Sequence, residues 1–353
     1  MEKKNFYQNK KVIVTGHTGF KGSWLALWLN NLGARVFGVS SNIPTNPSNY
    51  SALNLKKIIE QDKRIDVRNE KKLIDYINKI NPDLVFHLAA QALVTDSFKD
   101  PIKTWETNVN GTLNIIKACN SLKKRCSVVL VTSDKCYYNF ETKRGYKEND
   151  ILGGADPYSN SKASAEYLFK SLKKNYFKKN IRVVTARAGN VIGGGDWSKN
   201  RLIPDCIKSW FKNERVIIKN INSTRPWQHV LDALNGYLIL GMKNYKEANI
   251  AYNSYNFGPD KKINRSVGDI LDALKENWPN FCWEKSNNKK NKIREQKLLN
   301  LDSSKAKKIL KWKCRLSFKR NIHFLSEWYY CYYRDKRKIL DTSIDQIKYY
   351  DKF

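Results

Sequence analysis

With 353 residues, 41% of them hydrophobic, the chain is long enough to bury a sizeable core and exceeds one small domain. Its formal charge of +32 raises nucleic-acid binding, but the lysines come as scattered pairs (10–11, 56–57, 71–72, 123–124, 173–174, 178–179), with "NNKKNK" (287–292) the one cluster, which favours a solvated basic surface. Seven cysteines without a CxxC, four histidines without ligand spacing, no apolar run of membrane length and no secretory leader speak against a disulfide scaffold, a metal centre and a membrane span, and read as a cytoplasmic protein with reduced thiols.

In chain order, "KVIVTG" (11–16) is a β-branched run ending in Gly. "KGSWLALWLNNLG" (21–33) is apolar at helical spacing and stops at Gly33, a suitable residue just past a helix end. "ARVFGVS" (34–40) is a second strand. "NEKKLIDYINKI" (69–80) is an amphipathic helix with Leu73, Ile74, Ile77 and Ile80 on one face. "PDLVFHLAA" (82–90) is a third strand, 102–122 a long helix and "CSVVLVTS" (126–133) a fourth strand. The stretch 156–177 is another long helix, with Asp156 as N-cap and Pro157 in its first position, and a fifth strand begins at 181. Strands separated by helices predict a doubly wound parallel sheet, and their continuous apolar runs predict cover on both faces. After about residue 190 the strands shorten and Gly, Trp, Pro and Asn rise, which predicts a smaller mixed α/β C-terminal lobe. The stretch 286–292 reads as a mobile loop, and the tail after about 335 shows no clear core face.

"VTGHTGFKG" places Gly16, Gly19 and Gly22 between the first strand and first helix. Such a turn needs one Gly for tightness, one for close approach of backbone N–H groups to a diphosphate, and one for helix–strand packing. The spacing is GxxGxxG rather than GxGxxG. The second strand ends in Ser40, Ser41 and Asn42, with no acid for a ribose hydroxyl and no Arg for a 2′-phosphate, which leans towards NAD.

Tyr158 and Lys162 lie four apart on the helix after the fourth strand, hence on one face. An ammonium beside a phenol favours phenolate, a base able to take a proton from a sugar hydroxyl as hydride leaves its carbon. "TSDKCY" (132–137) closes the fourth strand with a hydroxyl, a carboxylate and an amine in sequence. By itself it is equally a polar turn.

Together, "TGHTGFKG", "FHLAAQ" (86–91), "TNVNGT" (107–112), "TSDKCY", "DPYSNSK" (156–162), "ARAGNVIGGGDW" (186–197), "RLIPD" (201–205) and "RPWQHVLD" (225–232) resemble, in order, the extended short-chain dehydrogenase/reductases acting on nucleotide sugars. The resemblance covers roughly residues 10–330 and is most specific to that family's branch of dehydratases acting on CDP-glucose. It implies a Rossmann domain (1–188 with 225–256) that binds NAD and a nucleotide-sugar lobe (189–224 with 257–353). It implies internal redox dehydration across C5 and C6, with Tyr158 as the C4 base, Lys162 tuning it and holding the nicotinamide ribose, Ser133 binding the C4 oxygen and Asp134 protonating the departing C6 hydroxyl. Lys135 stands where most sugar-nucleotide 4,6-dehydratases carry Glu. It acts there either as a neutral base at C5 or as an ammonium stabilising the enolate. The implied cofactor contacts are Gly16, Thr18, Gly19, Phe20, Gly22, Asp66, Val67, Leu88, Ala89, Ala90, Gln91 and Asn108, besides Tyr158 and Lys162. The implied substrate contacts are Asn190, Arg201, Arg225 and His229, with Lys208 a further possibility. His17 and His87 read as structural. Pairing through helices 102–122 and 158–176 implies a homodimer, or a tetramer built from it. A related epimerase, or a dehydratase acting on another nucleotide sugar, is the neighbouring alternative, and "TSDK" speaks against the epimerase. A nucleic-acid-binding or regulatory protein on the same scaffold is the remote one, against which the intact Ser133, Asp134, Tyr158 and Lys162 speak.

Overall fold

The apolar runs of the first half become the centre of a seven-stranded parallel sheet. The computed structural model describes residues 2–218, 220–259, 265–278, 281–285 and 299–353. Six strands are β1 (Lys11–Thr15), β2 (Arg35–Ser40), β3 (Gln61–Arg64), β4 (Leu84–His87), β5 (Cys126–Val131) and β6 (Ile181–Ala188), and the seventh is Ser254–Phe257. The stretch 286–292, expected as a mobile loop, lies outside the described residues. Across the sheet the order is seventh, β6, β5, β4, β1, β2, β3, with every neighbouring pair parallel. The order reverses between β1 and β4, so their C-terminal ends open a crevice of the kind that receives ligands in open parallel sheets.

Both faces are covered, as the continuous apolar strands predict. Along β1, Val12 and Val14 enter one core and Ile13 the other. The first core lies against helices Phe20–Asn31 and Val230–Lys246, through Trp24, Trp28, Leu234 and Leu238. The second lies against Glu70–Ile80 and Gly111–Asn120, through Ile77, Ile115 and Ile116, joined by Phe169 of helix Pro157–Leu172. That last helix starts as expected, with Asp156 accepting from the Ser159 N–H. The helix expected over 102–122 is interrupted: Pro101–Trp105 passes through a wide π turn, Glu106–Asn110, before Gly111–Asn120. Such turns redirect side chains and recur at functional sites.

Two elements differ from the sequence reading. β3 is "QDKR", polar throughout, because it is the half-exposed edge of the sheet. The tail does have a core face: helix Ile339–Asp351 buries Ile339, Ser343, Gln346, Ile347 and Tyr350. It seats on helix Phe20–Asn31, where Trp28 Nε1 donates to Asp351 Oδ2 at 3.0 Å and the Tyr350 ring stands edge-on to Trp28. Two of its five buried residues are Ser and Gln, so a hydrophobic pattern does not announce it. The C-terminal half is mixed, with short pairs Val216–Ile218 with Trp283–Lys285 (parallel) and Thr224–Arg225 with Arg265–Ser266 (antiparallel). Among the described residues no helix is long and apolar enough to cross a membrane, and no group of three or more His, Cys, Asp or Glu could hold a metal ion.

Candidate active site

The glycine turn forms the floor. Gly16 has φ +76°, and a Cβ there would lie 2.7 Å from Ala89 N; one on Gly22 would lie 2.0 Å from Gly16 O. The turn therefore presses directly on the loop Leu88–Gln91 and on its own helix, as a side chain would forbid. Gly19 begins helix Phe20–Asn31 with no side-chain cap, so the first-turn N–H groups have no side-chain acceptor there. Thr18 Oγ1 donates to Asn42 O at 2.7 Å, tying the turn to the segment after β2. His17 is buried between Ser40 Oγ (3.0 Å) and Asp62 Oδ1 (2.9 Å), and burial holds its pKa below the usual value, so it fastens the turn to β2 and β3. Phe20 lies over Gly193, where a Cβ would stand 3.3 Å from its ring.

A buried chain of hydrogen bonds fixes the opposite wall. Ala89 N–H donates to Thr15 Oγ1 at 3.2 Å, and Thr15 pairs with His87 Nδ1 at 2.8 Å. His87 Nε2 pairs with Thr112 Oγ1 at 3.2 Å, and Thr112 donates to Asn108 O at 2.6 Å. Since Thr112 gives its one proton to Asn108 O, His87 donates to it from Nε2. Burial, followed by the charge of Lys162, pushes its pKa down to about 3, which favours the neutral ring with Nδ1 accepting from Thr15. Asn108, delivered by the π turn, accepts the Gln91 N–H at 2.8 Å and donates to Gln91 O and Ser161 Oγ. It thus clamps the Leu88–Gln91 loop rather than offering free groups to a ligand. At the far end, Asp66 is held by Arg68, whose hydrogen bonds lower its pKa, and Val67 O accepts from Asn114 Nδ2 at 2.9 Å.

The end of β5 splits its polar residues. Thr132 turns inward and donates to Glu166 at 2.6 Å. Ser133 donates to Asp134 Oδ1 at 2.9 Å and accepts the Lys135 N–H at 3.2 Å. Asp134 is buried, and burial raises its pKa against the opposing pull of Lys135, Ser133 and Lys21. Gly189 leaves room for it: a Cβ there would lie 2.9 Å from Asp134 Oδ2. Lys135 is half-buried, and its Nζ has no hydrogen-bond partner among the described residues.

Tyr158 faces this turn from helix Pro157–Leu172. The expectation that a neighbouring ammonium lowers its pKa is corrected by the structure. Burial dominates and pushes the phenol up to about 12, with Ser133 and Arg201 pulling it down. Burial likewise lowers Lys162 to about 8; its Nζ lies 3.5 Å from Val131 O. In this apolar setting desolvation outweighs the pairwise attraction.

Asn190 follows β6 one residue beyond Gly189, and its carbonyl accepts the Gln228 N–H at 3.1 Å. Arg201 opens helix Leu202–Phe211, pairs with Asp196 at 3.1 Å, and acts electrostatically on both Tyr158 and Lys21. Lys208 donates to Trp197 O at 3.1 Å. Arg225 donates to Thr224 O at 2.9 Å in the short antiparallel pair. His229 is placed differently from its expected role. It is fully buried, its Nδ1 accepts the Leu231 N–H as a helix cap, its ring packs edge-on against Phe324, and its Nε2 has no hydrogen-bond partner among the described residues. Lys21 was missed. It is the second residue of helix Phe20–Asn31, its pKa is lowered to about 8 by burial and then Arg201, and it senses Asp134, Lys162 and Asp196. The sequence signal was an amine inside the glycine motif, read only for its glycines.

The chain matches the family model described as GDP-mannose 4,6 dehydratase over residues 13–324. It is 40% identical over 344 residues to the CDP-glucose 4,6-dehydratase of Salmonella typhimurium (strain LT2), covering 96% of this chain and 95% of that one. Among solved structures, an epimerase from Methanothermobacter thermautotrophicus aligns with TM-score 0.79 at 23% identity, covering 96% of this chain and 97% of that one. A Bacillus cereus UDP-glucuronic acid 4-epimerase, solved with UDP-glucuronic acid and NAD, aligns with TM-score 0.76 at 23% identity, covering 91% and 99%. These two likenesses concern the fold.

Proposed function

The chain belongs to the GDP-mannose 4,6 dehydratase family, and we propose that it converts CDP-D-glucose to CDP-4-dehydro-6-deoxy-D-glucose with NAD as resident cofactor. The observation that carries this reading is the turn after β5: a buried carboxyl of raised pKa, Asp134, is bonded to Ser133 beside Tyr158. Oxidation of a sugar alcohol alone needs no such acid, whereas expulsion of a hydroxyl does.

The glycine turn fits a dinucleotide diphosphate, because Gly19 opens helix Phe20–Asn31 with no side-chain cap and leaves first-turn N–H groups for an anion. Gly16, Thr18, Gly19, Phe20 and Gly22 would hold that diphosphate, Asp66 and Val67 the adenine end, and Leu88 to Gln91 with Tyr158 and Lys162 the nicotinamide end. When bound, NAD supplies a place for the C4 hydride, which is returned at C6. Tyr158, as its phenolate, takes the C4 hydroxyl proton, and Ser133 hydrogen-bonds the C4 oxygen. Asp134, kept protonatable by burial, gives a proton to the C6 hydroxyl so that it departs as water. Lys135, half-buried next to Asp134, either takes and returns the C5 proton as the free amine or stabilises the enolate as the ammonium. Asn190, Arg201 and Arg225 would receive the substrate diphosphate, a task suited to guanidinium groups.

We extend the proposal to assembly. Phe98, Ile102, Trp105 and Tyr167 stand exposed on adjoining helices of the sheet's flank, which supports pairing of two copies there.

Incubation with CDP-, TDP-, UDP- and GDP-glucose tests the reading through the alkali-induced absorbance of a 4-keto-6-deoxy product. CDP-glucose should give the highest kcat/KM. Faster turnover of TDP-glucose overturns the nucleotide assignment, and no product from any donor overturns the dehydratase reading.

A further inference from the structure

β2 ends without an arginine, yet the sheet brings one to the same place. Ser40, the last residue of β2, is the register partner of Arg64, the last residue of β3. Partners on neighbouring parallel strands point to the same face of a sheet. Ser40 Oγ pairs with His17 Nδ1 at 3.0 Å, and Asp62, two residues before Arg64, pairs with His17 Nε2 at 2.9 Å. Gly38, the partner of Asp62, makes room for that imidazole: a Cβ there would lie 2.5 Å from its ring. Asp62 and Arg64 therefore stand on the face of the sheet edge that meets the glycine turn. In doubly wound dinucleotide-binding sheets, this strand end is where an acid meets the adenosine ribose or an arginine meets a 2′-phosphate.

Arg64 is already engaged. Its Nη1 lies 2.8 Å from Asp62 Oδ1, and its Nη2 donates to Asp62 Oδ2 at 2.9 Å, a two-pronged pair. Nη2 also donates to the Tyr50 hydroxyl at 3.2 Å, and that hydroxyl donates to Asp62 Oδ2. The Asp62 side chain is 7% exposed and that of Arg64 39%, so the carboxylate is fixed underneath while the guanidinium reaches the surface. We propose that Asp62 sets a preference for NAD over NADP by holding Arg64 as a neutral pair beside the ribose. The pair offers no net charge to a 2′-phosphate, and its carboxylate opposes one, whereas an uncharged 2′-hydroxyl meets neither effect. The formal charge of +32 gives such an arrangement a purpose: a basic surface draws in the more anionic cofactor, so discrimination has to come from groups at the ribose itself. This inference rests on the reading that the glycine turn holds the dinucleotide.

The test is calorimetric titration of the full chain, freed of cofactor, with NAD and with NADP. Wild type should bind NAD the more tightly, and equal affinities overturn the proposal. Asp62→Asn keeps the shape and removes the charge, so NADP affinity relative to NAD should rise by about tenfold, the weight of one charge-assisted contact. Adding Arg64→Ala to Asp62→Asn should abolish that gain. A ratio unchanged in Asp62→Asn, or raised equally in the double variant, overturns the proposal, because a merely structural Asp62 would weaken both cofactors together. Arg64→Ala alone, a surface substitution, keeps the test alive if Asp62→Asn does not fold. It leaves the carboxylate without its partner, so NADP affinity relative to NAD should fall by about threefold or more, and an unchanged or raised ratio counts against the pair. Wild type that binds neither cofactor would instead overturn the reading of the glycine turn.

Discussion

Replacing Glu166 by Gln removes the counter-ion of a guanidinium with no access to water. Arg187 Nε donates to Glu166 Oε1 at 2.9 Å and Nη2 to Oε2 at 2.6 Å, with both side chains fully buried. The same carboxylate accepts from Thr132 (2.6 Å), Thr185 (2.9 Å) and Ser254 (3.1 Å), joining the end of β5 to the middle of β6 and the start of the seventh strand. The amide keeps the shape but turns a donor against donors and leaves the charge of Arg187 unbalanced. Breaking a buried pair from one side costs about 3–5 kcal/mol, a large share of the roughly 5–15 kcal/mol that holds a domain folded. The urea midpoint should fall accordingly with an unchanged slope. Activity should fall as well, because Thr132 precedes Ser133 and Glu166 lies one helical turn from Lys162. Adding Arg187→Met should recover at least part of the stability, since an apolar replacement leaves no buried charge. A Glu166→Gln protein within about 1 kcal/mol of wild type, the range of ordinary substitutions, would refute the claim that this pair anchors the strand end under the site.

Gly22→Ala places a methyl 2.0 Å from Gly16 O, where only backbone can yield; calorimetry should show NAD affinity reduced about tenfold or more, for a strain of about 1–3 kcal/mol. Lys135→Met should leave NAD affinity unchanged while slowing exchange of the C5 proton with deuterated water by about 10²–10⁴-fold, as followed by NMR; near wild-type exchange would remove Lys135 from the role of C5 base. The cofactor-free protein should gain stability as pH rises from about 8 towards 10.5. Lys162 is held at about 8 by burial, so over that window the unfolded chain binds the proton and the native chain does not. The gain should shrink in Lys162→Met, compared by thermal scans across the window.

Much of this was legible because physics leaves few options. A β-branched run followed by glycines and an apolar helix can hardly be other than a strand, a tight turn and a crossover, and β1, the glycine turn and helix Phe20–Asn31 are found there. Asp156 and Pro157 mark a helix start in any setting. What the chain hides are elements whose role is set by distant partners. β3 is polar because it is an edge, and the final helix shows its core face only against Trp28. The protonation of Tyr158 and Lys162 was misjudged for the same reason: spacing reveals the pair, but burial sets the balance of charge. Lys21 and His229 are hidden on similar grounds, the one set beside Arg201 and Asp134 by the helix that carries it, the other buried with its Nδ1 serving as a cap.

The most direct measurement uses CDP-glucose carrying deuterium at C4, with the product read by NMR and mass spectrometry. If Tyr158, Asp134 and Lys135 work around one hydride that never leaves the site, the deuterium appears at C6 of the same sugar. Product with its deuterium still at C4, or with the label lost to water, would contradict internal redox dehydration outright.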